Sequence, residues 1–211
     1  MRDGELTRAN TRPVQLRADG DEQKISGYGA VFYRDSEPGT QFVLWGDGES
    51  EGSAVERITR DCEFVGGNVR SMFNHDPNQL LGRQPDTLTI GTDDTGLFYS
   101  VPFDPEDHDH RQVQRKIETG KVDGSSFWFK ILDESQRSEN GVDVFELKRV
   151  QLIEVGPVVM PAYEATTADT RSAHVEERRR QLAVMAAGRE QLKERFLQEV
   201  SRDIWLLEHG I

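Results

Sequence analysis

The chain has 211 residues and a mass of 24.0 kDa, a length that fits one large domain or one domain with an appendage. Its 26 Lys and Arg against 38 Asp and Glu leave a formal charge of −12, which argues against a nucleic-acid partner and an anionic membrane surface, because both need a basic face. Hydrophobic residues make up 35% and mean hydropathy is −0.67, more polar than a compact globule at roughly 45–50% apolar, so part of the chain is expected to lie outside the core.

Met1 to Ala18 carries scattered charges and no apolar run, so residues 1–24 are expected to form a flexible lead without a signal peptide. No stretch reaches the ~18 apolar residues of a membrane span. The single cysteine, Cys62, has no partner for an internal disulfide or a paired-thiol zinc site, which fits a reducing, cytosolic setting.

Residues 26–171 contain short runs of Val, Ile, Phe, Tyr and Leu between turn residues, the pattern of a mainly β domain. Strands are expected at Ser26–Tyr33, Ala54–Thr59, Val69–Phe73, Thr87–Ile90, Leu97–Pro102, Ser126–Leu132, Val142–Val150 and Leu152–Val159. The Gly- and acid-rich Asp35–Gly52 reads as a surface loop, and the apolar Phe42-Val43-Leu44-Trp45 within it has no account at this level. One helix is expected after Asp104 as N-cap, with Pro105 in its first position, Glu106 and Asp107 against its dipole, Val113 and Ile117 inward and Gly120 closing it. Asn140-Gly141 marks a hairpin, although Asp133–Gly141 reads as a loop longer than a two-residue turn.

From Ser172 to Ile211 seven acids balance seven bases, so the whole −12 falls on residues 1–171. Leu192, Phe196, Val200, Ile204 and Leu207 recur at spacings of three and four without proline, which predicts an amphipathic helix over 172–211. Its apolar stripe needs a surface, either the protein's own body or another chain.

Three places in the β region carry chemistry. Phe73-Asn74-His75-Asp76-Pro77 ends an apolar strand in a polar turn; His75 is either an ordinary turn histidine or a ring held across a cleft for proton transfer. Gly124-Ser125-Ser126-Phe127 opens a strand after a glycine turn, a place where a nucleophilic serine can be rigidly held and where plain turn serines also occur. Strand alternation sets Ser126 with Trp128 and Lys130, and Ser125 with Phe127 and Phe129. Glu154 interrupts the apolar Val150–Tyr163; it either faces water from an edge strand or is buried and requires a partner such as histidine. Asp107-His108-Asp109-His110 lacks a third ligand cluster and reads as a solvated helix start rather than a metal site.

In the order His, Ser, Glu, these motifs resemble the prohead (procapsid maturation) protease family of tailed phages. The resemblance runs over about residues 25–172. It rests on Gly27-Tyr28-Gly29-Ala30-Val31-Phe32, Phe73-Asn74-His75-Asp76-Pro77-Asn78 with Leu81-Gly82-Arg83, Thr87-Leu88 with Asp94-Thr95-Gly96-Leu97, Gly124-Ser125-Ser126-Phe127, and Leu152-Ile153-Glu154-Val155 with Pro157-Val158 and Pro161-Ala162-Tyr163. It implies an α+β, mainly β fold like the herpesvirus assembly proteases, a β-barrel with surrounding helices over residues 25–171.

The activity implied is that of a serine endopeptidase with His75, Ser126 and Glu154 as catalytic residues and no metal or cofactor. Its substrates would be the scaffold, the N-terminal segment of the major capsid protein, and the protease itself, inside the prohead in the bacterial cytoplasm. Self-association is compatible with this; nucleic acid and membrane are not expected as partners. The alternative is an inactive scaffolding or assembly protein that keeps the fold.

Three departures accompany the resemblance. Ser125 stands where relatives often have an apolar residue, which leaves Ser125 and Ser126 as alternatives. Gly156 replaces a serine that commonly follows Glu-Val, a change expected to matter little. Trp128 replaces a small residue and is expected to narrow the cleft. No arginine lies in Pro157–Tyr163 to serve an oxyanion hole, and backbone N–H groups around Gly124 are the alternative.

Overall fold

The computed structural model describes residues 5–10, 14–19 and 22–159. The expected helix over 172–211, its apolar stripe and Pro161-Ala162-Tyr163 lie outside the described residues. Eleven strands are described: β1 (Glu5–Asn10), β2 (Gln15–Asp19), β3 (Glu22–Val31), β4 (Gln41–Trp45), β5 (Ala54–Val65), β6 (Arg70–Met72), β7 (Leu80–Arg83), β8 (Thr89–Thr92), β9 (Gly96–Pro102), β10 (Gly124–Glu139) and β11 (Val142–Val158). One α-helix, α1 (His108–Glu118), and one 3₁₀ turn at Pro38–Thr40 complete the described elements.

Two sheets form. The larger runs β1-β10-β11-β5-β4, with β6 also on β11 and β7 on β6; the smaller runs β2-β3-β9-β8. Neither closes on itself among the described residues. The barrel implied by the resemblance is therefore replaced by two open sheets. The reason lies in β11: its first part pairs in parallel with β5 from Asp143 to Gln151 and its end with β6 at Glu154 and Val155. The ladder forks there instead of continuing round to β1.

One apolar core joins the sheets. Ile25, Leu97, Tyr99 and Val101 from the smaller sheet meet Ile58, Phe127, Phe129, Leu147, Val150 and Val155 from the larger. The Phe127 and Phe129 rings stack with centroids 4.4 Å apart, and these ten side chains at about 1.5–3 kcal/mol each dominate the driving force for bringing the sheets together. A Cβ on Gly27 would be 2.5 Å from Ser125 Oγ of the larger sheet, so a residue without a side chain is needed there.

Several boundaries differ from those expected. The lead segment carries β1 and β2. Phe42-Val43-Leu44-Trp45 belongs to β4, with Phe42 in the core and the Trp45 ring edge-on to Phe145 at 6.0 Å. Leu80–Arg83 is an unforeseen strand. The expected loop at Asp133–Gly141 is instead continuous strand up to a two-residue turn, Asn140 (φ 51°) and Gly141 (φ 84°), between the paired Glu139 and Val142. Its exposed polar run, Asp-Glu-Ser-Gln-Arg-Ser-Glu, has no apolar alternation to betray a strand. The helix starts three residues late because Asp107 is the N-cap, its Oδ1 accepting from the N–H groups of Asp109 and His110.

Candidate active site

Three neighbouring strands bring His75, Ser126 and Glu154 together. β11 lies between β10 and β6, with Glu154 opposite Trp128 on one side and Arg70 on the other. Ser126 opens β10 opposite Gly156. His75 follows the end of β6 in the turn that leaves it.

That turn is tightly specified. Asn74 and His75 both have left-handed backbones, φ 55° and 59°, a conformation asparagine and histidine tolerate better than most residues. Asn74 N–H donates to the Pro157 carbonyl at 3.0 Å, and its side-chain oxygen accepts from Val159 N–H at 2.8 Å. Asp76 accepts from Asn78 N–H and the Gln79 side chain, which holds its carboxyl below the usual range. The histidine loop is thus tied to the end of the glutamate strand, and Asn74 is the tie that sequence reading did not single out.

The geometry forms a short hydrogen-bonded chain. His75 Nε2 is 2.8 Å from Ser126 Oγ, and His75 Nδ1 is 2.5 Å from Glu154 Oε2. Glu154 is wholly buried and its other oxygen accepts from Met72 N–H at 3.2 Å. Burial raises the Glu154 pKa, opposed by the His75 hydrogen bond and charge and by Met72 N–H. The His75 side chain remains 26% exposed, whereas Ser126 is only 2% exposed. An imidazole between a hydroxyl and a carboxylate can take the hydroxyl proton while the carboxylate steadies the resulting charge.

The serines divide between two faces. Ser125 turns inward with Phe127 and Phe129, fully buried, its Oγ 3.0 Å from the Tyr99 hydroxyl. Ser126 turns to His75 and also donates from Oγ to the Arg8 carbonyl at 2.8 Å. Trp128, two residues along, has a buried indole N–H without an acceptor among the described residues.

Gly156 matters more than the sequence suggests. A Cβ there would overlap the Met72 carbonyl oxygen and lie 3.0 Å from Glu154 Oε1. Its bare backbone lets β6, and with it the His75 turn, close on β11.

The Asp107–His110 cluster is occupied structurally. Asp107 caps α1, and His110, expected to be solvated, is buried: its Nδ1 accepts from Asp104 N–H and its Nε2 donates to the Leu81 carbonyl. Among the described residues no group of three or more His, Cys, Asp or Glu could hold a metal ion. Cys62 is buried against the core, which pushes its thiol pKa up to about 12.

No curated protein and no solved structure matched the chain. A family model described as caudovirus prohead serine protease matches residues 11–181, a span that contains His75, Ser126 and Glu154. The chain therefore belongs to the caudovirus prohead serine protease family, and is a serine peptidase of phage prohead maturation.

Proposed function

We propose that the protein is an endopeptidase of Ser-His-Glu type, in which Ser126 is the nucleophile, His75 the general base and then acid, and Glu154 the residue that orients the ring and stabilises the imidazolium. The observation that carries this reading is the unbroken chain from Ser126 Oγ through both ring nitrogens to Glu154. A burial-disfavoured carboxylate in direct contact with a histidine ring nitrogen has little structural reason to exist unless the histidine's charge is used. Attack of Oγ on a peptide carbonyl would pass the hydroxyl proton to His75 Nε2. His75 would return it to the leaving amine, and water would then release the acyl group by the same exchange.

The substrates in this reading are the scaffold, the N-terminal segment of the major capsid protein and the protease itself, within the prohead interior. The neutral segment 172–211 would serve incorporation into the prohead by binding scaffold or capsid protein. Intact-mass analysis over time, on the parent and Ser126→Ala co-assembled with capsid and scaffold proteins, tests the assignment. Truncation of all three in the parent alone is expected; equal processing by Ser126→Ala removes Ser126 as nucleophile, and no processing by either supports an inactive assembly protein.

A further inference from the structure

The first strand lies directly against the proposed nucleophile. β1 runs antiparallel to β10 as an edge strand, with Leu6 opposite Phe129, Arg8 opposite Phe127 and Ala9 opposite Ser126. It precedes residues 11–181, the span of the family match. An extended segment added to an exposed sheet edge is a general way for a protein to hold a peptide, with main-chain pairing for affinity and side-chain pockets for selectivity.

Two details make β1 more than a neutral edge. Ser126 Oγ donates to the Arg8 carbonyl oxygen at 2.8 Å while lying 2.8 Å from His75 Nε2. A hydroxyl has one proton; committed to the Arg8 carbonyl, it is not available to His75. It also presents its proton, not its lone pair, to that carbonyl, so β1 is held without being attacked. With Ser126 only 2% exposed, no other peptide reaches the hydroxyl while β1 is in place.

The Arg8 side chain identifies what the groove accepts. Its Nε and Nη2 donate to Glu56 Oε1 and Oε2 at 2.7 and 3.1 Å, and the guanidinium lies 5.9 Å from the Phe129 ring centroid. Side-chain exposures are 5% for Arg8 and 0% for Glu56. A strand without a guanidinium forfeits this buried, two-point pair. A replacement strand that brings its own guanidinium therefore displaces β1 far more easily than one that does not, and the planar fork favours arginine over lysine.

We infer that β1 is a built-in occupant of the substrate groove, and that the groove takes extended peptides with arginine immediately before the scissile bond, read by Glu56. This rests on Ser126 being the nucleophile, and it adds both a substrate class and a means of holding the enzyme inactive.

The test uses the full chain as parent, Arg8→Ala and Arg8→Ala with Glu56→Gln. The probes are a fluorescent peptide Glu-Leu-Thr-Arg-Ala-Asn, its Arg-to-Gln counterpart, and a fluorophosphonate that labels an accessible nucleophilic serine. Arg8→Ala should be labelled at least about tenfold faster than the parent, since accessibility scales with the fraction of open groove. It should also bind the arginine peptide in preference to the glutamine peptide. The double variant, which removes the buried charge and so keeps the test open if Arg8→Ala unfolds, should be labelled quickly but bind both peptides equally. A parent that is labelled as fast as both variants, or equal binding of the two peptides to a folded Arg8→Ala, overturns the inference. Preferential binding of the arginine peptide without cleavage or labelling in any form would uphold the groove and remove Ser126 as nucleophile. Cleavage without arginine preference would do the reverse.

Discussion

Ser125 and Ser126 are consecutive in β10 yet their hydroxyls serve opposite faces: Ser125 Oγ pairs with the Tyr99 hydroxyl in the core at 3.0 Å, and Ser126 Oγ with His75 Nε2 at 2.8 Å. Strand alternation alone produces this split. Ser126→Ala is accordingly expected to lower turnover of a peptide substrate by several orders of magnitude while the protein still folds. Ser125→Ala should retain turnover and lose about 1 kcal/mol of stability, from the lost buried hydrogen bond. Urea unfolding beside peptide hydrolysis checks both.

Gly156→Ala should damage both stability and catalysis. The added methyl must push away the Met72 carbonyl and touch Glu154 Oε1. Overpacking of this kind costs about 1–3 kcal/mol, and a shift of about 1 Å in the His75 turn is enough for a loss of about 100-fold in rate. Parent-like activity in a folded Gly156→Ala protein would show that β6 and the turn can move without misplacing His75.

Asn74→Ala removes the acceptor of Val159 N–H and puts alanine at φ 55°. The expected cost is about 1–2 kcal/mol, with a fall in kcat from a less restrained His75. Asn74→Gly relieves the backbone but not the lost acceptor, so its melting temperature should lie between those of the parent and Asn74→Ala.

The buried Glu154 gives a pH dependence with a definite sign. Its pKa is raised by desolvation, so the folded state binds the proton more tightly than the unfolded chain. The stability it contributes is present below the ordinary glutamate pKa and is lost as pH rises through the raised value. Glu154→Gln lacks this titration. Its melting temperature relative to the parent should therefore climb as pH increases from about 4 towards neutrality, the range that opens at the unperturbed carboxylate pKa. A constant difference across that range would show that the parent carboxyl is not perturbed. Its turnover should fall less than that of His75→Ala, because base and nucleophile both remain.

Cys62, with its thiol pushed to about 12 by burial, should resist iodoacetamide at neutral pH until the protein is unfolded, because the thiolate is the reactive form. Cys62→Ala should keep full turnover, as this thiol is packed in the core and takes no part in the Ser126–His75–Glu154 chain. Rapid alkylation of the native protein would show that the Cys62 region opens.

Local signals in the sequence determined the mainly β character, most strand positions in the centre of the chain, the opposed orientations of Ser125 and Ser126, and the presence of a helix near residue 110. These follow from short-range physics: apolar alternation, turn residues and the two-residue period of a strand. The same local reading identified His75, Ser126 and Glu154 as anomalies but left Glu154 open between edge and interior. Only the tertiary structure decided that β11 is an interior strand and that Glu154 faces His75, because strand neighbours are chosen by the whole sheet. The polar arm of β10, the edge strand β4 and the N-terminal β1 were illegible for one reason. Their strand state is imposed by the strands they pair with, Val142–Val150, Ala54–Arg57 and Ser125–Lys130, and not by any periodicity of their own. Gly156 was misjudged for the complementary reason: its role depends on the Met72 carbonyl 84 positions earlier in the chain, a close approach that no local pattern records.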